Sequence, residues 1–483
     1  MFQFDNTYAR LPEAFYARVD PARVPKPELI AWNGDLARQL GAQDEHPSDR
    51  QLAGIFSGQR LLPGSEPIAM AYAGHQFGSF VPRLGDGRAL LLGEVLDASG
   101  RRQDIQLKGS GKTPFSRRGD GKAPLGPVLR EYIVSEALHH LGMPTTRSLA
   151  AVKTGEPVYR EKVLPGAVLT RVASSHLRVG TFEYFAARQD LDNLRRLTDY
   201  AMQRHFPETQ NDSLHFFRKV GQAQVELVTG WLALGFIHGV MNTDNMSIAG
   251  ESIDFGPCAF MDQFRFDRVF SSIDQFGRYA YSNQAQIALW NLSRLGSCLI
   301  LLAEQESQKE VTRALNQELE GFRTLFEQRH TEKMLEKLGV FDDQQPEDRE
   351  LIQKWLRYLE AEELDYTLSF RDLANLVDQD AGSVGFARTE AFENFHQHWK
   401  RRVGSQGLEA GAIQARMNRV NPVFIPRNHK IEEVIEAGLQ DDFSPFHTMN
   451  EVLRNPFQEQ PAFASFRSTP RPEEAVQATF CGT

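Results

Sequence analysis

The chain has 483 residues, 41% apolar and 24% charged, a globular balance that excludes a largely disordered, collagen-like or membrane-embedded protein. Its 54 Lys and Arg face 63 Asp and Glu, a formal charge of −9, which excludes a uniformly basic nucleic-acid binder. Three cysteines, Cys258, Cys298 and Cys481, are too few and too scattered for a disulfide framework or a zinc cluster, so a reducing compartment is expected.

The opening residues, MFQFDNTYARLPEAFY, carry acids early and lack an apolar core, so no secretory leader is expected. Residues 1–80 are mixed, and Pro12, Pro21, Pro25 and Pro27 point to an irregular lead-in. From Arg83 the pattern changes to two strands joined through Gly-rich turns. An apolar run follows Gly85-Asp86-Gly87 and ends at Val95; Ile105 to Leu107 then alternates before Lys108. The stretch from Gly109 to Pro127 is too rich in Gly and Pro for regular structure.

A helix is predicted from Val128, with Leu129, Ile133, Ala137 and Leu141 on one stripe and Gly142 as its stop. Residues 163–172 read as a strand. Helical periodicity then dominates, near 191–205, 213–235, 284–303, 310–338, 350–360 and 387–403. The most apolar stretch, Leu227 to Met241, is shorter than the roughly 20 residues of a membrane span and contains His238. It reads as a buried helix. A strand-rich first part feeding a helix-rich second part implies two lobes with a cleft between them.

The segment Gly109-Ser-Gly111-Lys112-Thr113 imitates a phosphate-binding loop, but Gln106 stands where the leading Gly belongs and Pro114 follows at once. A different set of residues carries more. Gly85 and Gly87, with Arg88, form a turn whose bare backbone allows close approach to a nucleotide. Lys108 ends a strand, as a lysine reaching toward phosphates would, and Glu131 on the next helix can pair with it, with Glu136 as the fallback. Arg171 and Arg178 lie seven apart, and Asp120-Gly121 sits in the Gly-rich loop beside Arg117 and Arg118; guanidinium groups are suited to gripping a polyphosphate. Taken singly, each of these is also an ordinary hairpin turn, strand-end lysine or surface charge.

The strongest local signal is His238-Gly-Val240-Met-Asn-Thr-Asp244-Asn245, followed by Asp254-Phe255-Gly256. Kinase-like proteins place HxDxxxxN before DFG, and the Asn and the DFG Asp hold Mg²⁺ against phosphates. Val240 occupies the position of the proton-accepting Asp and cannot accept a proton. Asp244, next to Asn245, is the candidate replacement.

These motifs together resemble the selenoprotein O (SelO/YdiU) family of protein adenylyltransferases. The resemblance rests on AGHQFG (73–78), RLGDGRA (83–89), QLKGSGKTPFSRRGDGKA (106–123), HGVMNTDNMS (238–247), DFGPCAFMD (254–262) and NPVFIPRNH (421–429). It implies an α+β, protein-kinase-like bilobal fold with a strand-rich N-lobe, a mostly helical C-lobe, and N- and C-terminal extensions. The divisions expected are 1–80, 81–165 and 166–483. It implies that ATP lies flipped, so that AMP passes to Ser, Thr or Tyr hydroxyls of proteins and pyrophosphate leaves. Asp244 would then be the proton acceptor, Lys108 and Glu131 the lysine–acid pair, and Asn245 and Asp254 the ligands of Mg²⁺ or Mn²⁺. Gly85, Gly87, Arg88, Lys108, Asp120, Gly121, Arg171, Arg178 and Asp254 would contact the nucleotide.

Cys481 corresponds to the place where some relatives carry selenocysteine or a regulatory cysteine. The segment after Asp254-Phe255-Gly256 offers Cys258, but residues 262–285 contain no cysteine, and a free thiol is the expectation. In NPVFIPRNH, Arg427 and His429 either line the cleft or lock a helix, the structural role being the expectation. A cytoplasmic monomer is expected, with ATP and protein substrates as partners and neither nucleic acid nor membrane. The competing functions are γ-phosphoryl transfer by a diverged kinase and a nucleotide-binding pseudokinase scaffold.

Overall fold

The computed structural model describes residues 1–43, 47–378 and 386–479. The first third of the chain is organised by an antiparallel sheet of eight strands. Residues 1–80 supply three of them: β1 (Tyr16–Arg18), β2 (Glu28–Trp32) and β3 (Ile68–Met70). The expected irregular lead-in is therefore built into the sheet. Its prolines lie between these short strands or outside them, so they signal the breaks and hide the pairing. A separate hairpin follows, β4 (Gly74–Gln76) and β5 (Ser79–Val81).

The centre of the sheet comes next. It comprises β6 (Ala89–Leu96), β7 (Arg102–Lys108), the short β8 (Ala123–Pro124), β9 (Arg147–Tyr159) and β10 (Val163–Ala173). The order is β1-β3-β6-β7-β10-β9-β2, with β8 also on β10. β6, β7 and β10 fall where the sequence pattern places strands. The long β9 does not: Gly155 and Pro157 disguise its second half, and Lys153 and Glu156 break its alternation. β10 also runs through the expected division between residues 165 and 166.

The helices of this part are α1 (Gly34–Gln39), α2 (Asp49–Phe56) and α3 (Leu125–His140). α3 begins before Val128 because Pro127 sits in the first turn, where no intrahelical N–H is required. It ends as expected at Gly142, whose φ is +82°. The rest of the chain is largely helical: α4 (Val179–Ala186), α5 (Leu191–His205), α6 (Ser213–Leu234), α7 (Gln284–Ile300) and α8 (Gln308–Lys337). There follow α9 (Asp348–Ala361), α10 (Tyr366–Asn375), α11 (Glu390–Gly404), α12 (Ala410–Val420), α13 (Asn428–Leu439) and α14 (Ser444–Leu453). Two-residue strands β11 (Phe236–Ile237) and β12 (Ala259–Phe260) pair and flank the catalytic-loop candidate.

α3 is buried almost all round, because the last helices return to cover the face turned away from the sheet. Gly126 faces Ile435 and Gly438 faces Leu129, small residues that let α3 and α13 approach closely, and Tyr132 stacks edge-on against Phe446 of α14 at 5.2 Å. A second apolar core, around the fully buried Trp355 and Trp399, joins α8 to α12 with Leu232 of α6, strands β11 and β12, and Met261, Phe264, Phe270 and Tyr281. No helix among the described residues is long and apolar enough to cross a membrane.

Candidate active site

The site begins with strand geometry. Residues two apart on a strand point to one face, so Gln106 and Lys108 of β7 share a face. Arg171 of β10 lies directly across from Gln106 in the register. The Gln106 carboxamide oxygen accepts from Nε of Arg171 at 3.1 Å and Nη2 at 2.6 Å, while its Nε2 donates to Asp86 at 3.1 Å. Asp86 thereby joins the turn of Gly85 and Gly87 to the sheet. Burial raises its pKa, and it also accepts from the Met70 amide at 3.1 Å.

Three cations converge on Asp254. Its carboxylate accepts from Lys108 at 3.1 Å, Arg171 at 2.7 Å and Arg178 at 3.4 Å. Burial pushes its pKa up, but Arg171, Lys108 and Arg178 together hold it well below the usual carboxylate range. Asp254 has φ of +64°, a left-handed conformation that a non-glycine residue adopts only when its surroundings enforce it. Lys108 also donates to Glu131. The fallback acid, Glu136, is elsewhere engaged: it binds Arg147 at 2.7 Å and caps the Ser148 amide at 2.8 Å. Arg178 is 1% exposed, lies 4.6 Å over the Tyr72 ring and donates to the His176 carbonyl at 2.7 Å.

The segment His238–Asn245 supplies the other half. His238 is buried, which lowers its pKa; its Nε2 donates to the Ile253 carbonyl at 2.8 Å. That bond ties the loop to the residue preceding Asp254. Asn245 donates through Nδ2 to the Val240 carbonyl at 3.1 Å, which leaves its amide oxygen available. Asp244 is buried, and burial pushes its pKa up to about 6. Among the described residues its Oδ1 has no hydrogen-bond partner, and its Oδ2 accepts a long 3.4 Å bond from Gln76.

Hairpin β4–β5 closes over that carboxyl. The His75 amide donates to Oγ1 of Thr243 at 2.7 Å, and the Phe77 amide donates to Oδ1 of Asn242 at 2.9 Å. Glu183 of α4 completes the clamp, accepting from Thr243 at 2.5 Å and pairing with the His75 ring at 2.6 Å. This is the AGHQFG segment, to which the sequence assigns no role. Its signal was present only as a motif, since pairing with residues 242–244 is invisible to local pattern. Gln106, Asp86 and Tyr72 were missed for the same reason.

The remaining candidates are more dispersed. Gly85 is required by packing rather than by an open approach: a β-carbon there would fall 2.4 Å from the Phe115 ring, and its φ is +78°. Gly121, at φ +71°, packs its bare Cα against the Gly111 carbonyl. Asp120 is turned to Arg160, which binds it through two bonds of 2.9 and 3.0 Å, and no described contact joins it to the Lys108 cluster. Arg117 and Arg118 are exposed. Arg427 is fully buried, bonded to Asp262 and, at 2.8 Å, to Asp365, which is the locking arrangement. The chain's tail returns here as well: Thr479 donates through Oγ1 to the Pro257 carbonyl at 2.6 Å. Cys258 is buried, and Cys481 lies outside the described residues.

The Asp254 carboxylate and the Asn245 amide oxygen are hard oxygen donors that suit Mg²⁺ or Mn²⁺. No group of three His, Cys, Asp or Glu among the described residues forms a closed cage. A divalent ion here would take its other ligands from phosphate and water, the usual habit of Mg²⁺ in nucleotide enzymes.

A cation cluster on a carboxylate, with a buried second carboxyl beside it, is equipment for transferring a phosphorus-containing group. Comparison with known proteins specifies the class. Residues 1–454 match the family model of protein adenylyltransferase SelO. The chain is 52% identical over 491 residues to a protein nucleotidyltransferase YdiU of Rhizobium meliloti, covering all of this chain and 99% of that one. It is 54% identical over 490 residues to one of Rhodopseudomonas palustris, with the same coverage, and 52% identical over 489 residues to one of Agrobacterium fabrum, covering both chains fully. The chain belongs to the SelO family and is a nucleotidyltransferase.

Proposed function

We propose that the chain transfers AMP from ATP to Ser, Thr or Tyr hydroxyls of proteins, releasing pyrophosphate, with ATP reversed relative to ordinary kinases. The observation that carries this reading is the pairing of Val240 with Asp244. The position from which a kinase draws a proton holds an inert side chain, while a buried carboxyl with an unengaged oxygen stands beside Asn245. A base with pKa near 6 is mostly ionised at neutral pH and still basic enough to accept a proton.

In this reading the sheet with α3 serves as the N-lobe of a kinase-like bilobal fold, and the helices from α4 onward serve as the C-lobe. Lys108, Arg171 and Arg178 exchange Asp254 for polyphosphate oxygens, and Glu131 keeps Lys108 oriented. Asp254 and Asn245 would hold Mg²⁺ or Mn²⁺, which supplies neutralisation of phosphate charge. The acceptor hydroxyl gives its proton to Asp244 as its oxygen bonds to the α-phosphorus; the bond from that phosphorus to the bridging oxygen breaks, and pyrophosphate leaves. Positioning and charge neutralisation account for most of the rate, with about 10²–10⁴-fold from the base. A cytoplasmic monomer is the setting proposed.

ATP labelled at the α or the γ position tests this. Protein labelled from the α position alone supports adenylyl transfer. Label from γ alone would mean a kinase, and no label from either would mean a scaffold.

A further inference from the structure

We propose that the protein acceptor docks on the rim formed by hairpin β4–β5, residues 271–279 and α7, and that this rim selects hydroxyls flanked by acidic and apolar residues. The proposal rests on the adenylyl-transfer reading above, because it names what brings an acceptor to Asp244.

The first observation is charge. The chain is acidic overall, at −9, and most of its buried arginines are paired with carboxylates. Around the hairpin, three arginines that are not buried lie on aromatic faces instead. Arg278, Arg294 and Arg188 form no ion pair among the described residues, although each is held in place. The Arg278 guanidinium lies 4.9 Å over the Trp290 ring and would be 3.6 Å from a β-carbon at Gly78, at the hairpin turn. Arg294 lies over the same indole at 5.3 Å. Arg188 stacks on Tyr184 at 3.6 Å and donates to the Pro82 carbonyl at 2.9 Å, at the hairpin's foot. Guanidinium groups stacked on aromatic faces have lost little of their charge to the stack, and their remaining N–H groups match a carboxylate fork.

The second observation is exposed apolar surface on the same elements. Phe276 is 96% exposed, Ile273 61% and Phe80 40%. Large side chains left bare beside unpaired cations make the mixed surface expected of a protein-docking site, with aromatic residues and arginine as its anchors.

The third is connection to the chemistry. The hairpin's backbone is bonded to Asn242 and Thr243, and Gln76 reaches Asp244. The 271–279 segment reaches the same loop: Tyr279 donates its hydroxyl to Asn242 at 2.5 Å. A chain seated on this rim is therefore registered against the proton acceptor through the hairpin's bonds to residues 242–244 and through Tyr279, which shares Oδ1 of Asn242 with the Phe77 amide. Asp254 and its three cations are reached through other elements, so the rim arginines are additional to the nucleotide's own partners. Charge complementarity then fixes the occupant as an acidic segment of the acceptor protein.

The test uses the full-length protein and peptides of equal length, each carrying one hydroxyl residue flanked by Asp and Phe, by Gly and Ala, or by Lys and Phe. With α-labelled ATP, the acidic peptide is expected to exceed the other two by about tenfold in kcat/KM, chiefly through KM, and to lose that advantage near 1 M salt. The double variant Arg278→Glu, Arg294→Glu should reverse the order between acidic and lysine peptides, with ATP affinity as the check that the nucleotide site is intact. Equal use of the three peptides, a lysine preference in the unmodified protein, or an unaltered order in the double variant would overturn the proposal. Fluorescence anisotropy of the same peptides keeps this separate from the catalytic reading: binding that favours the acidic peptide upholds the rim even without label transfer, and binding indifferent to charge rejects it even with transfer.

Discussion

A β-carbon at position 74 would lie 2.4 Å from Oδ1 of Asp244 and 2.9 Å from its Cγ. Gly74 is thus the roof of the candidate proton acceptor, and its missing side chain is the space the carboxyl occupies. Gly74→Ala must displace either the carboxyl or the hairpin. Misplacing a catalytic group by about an ångström costs on the order of 10²-fold, so kcat for AMP transfer should fall by about that factor. ATP affinity, measured by calorimetry, should not change. A Gly74→Ala protein of full activity would remove Asp244 from the mechanism.

Asp254 accepts from three cations and is proposed as a metal ligand once nucleotide is bound. Asp254→Ala should therefore abolish transfer while leaving Lys108, Arg171 and Arg178 in excess positive charge, with Glu131 still paired to Lys108 and Arg171. Binding of ATP in the presence of a chelator should be retained or strengthened, because polyphosphate then replaces the lost carboxylate. Measurable transfer by the variant, or loss of chelator-resistant binding, would contradict these roles.

Arg427 ties the end of the 254–262 motif to α10 through Asp262 and Asp365. Removing one partner of a buried ion network leaves the others unpaired, which costs about 3–5 kcal/mol. Arg427→Met should lower unfolding free energy by roughly that amount in urea titrations. A loss within error would mean that the network is solvated.

Lys337, at the end of α8, is 3% exposed and lies 4.2 Å over the Phe370 ring. Burial pulls its pKa down from 10.5 to about 7. The unfolded chain therefore binds the proton more tightly, and between about pH 7 and 10.5 this residue makes stability rise with pH, at up to about 1.4 kcal/mol per unit. Lys337→Met should raise stability at pH 7 and flatten that rise, as read from denaturation at pH 7 and pH 9. A variant with an unchanged slope would place the ammonium in water.

Strands and helices whose burial is one-sided or continuous were legible in the sequence: β6, β7, β10 and the long helices from α5 to α9 lie close to their predicted positions. β9 was not, because its packing compensates for a Gly, a Pro and charges that local propensity rejects. The same holds for β1, β2 and β3, each too short to show alternation but stabilised by long-range pairing. α3 showed one apolar stripe where the protein buries nearly the whole helix, since its second partner arrives about 300 residues later, at α13. Within the site, residue identities were readable and connections were not. Lys108, Glu131, Arg171, Arg178 and Asp254 meet, yet Asp120 pairs with Arg160, and the hairpin over Asp244 could be found only in three dimensions.

The most direct measurement is the orientation of nucleotide in a crystal of the protein with Mg²⁺ and a non-hydrolysable ATP analogue. The expected result has the α-phosphorus nearest Asp244 and the outer phosphates among Lys108, Arg171 and Arg178. A γ-phosphorus facing Asp244, with the α-phosphate held at the inner cations, would contradict the account.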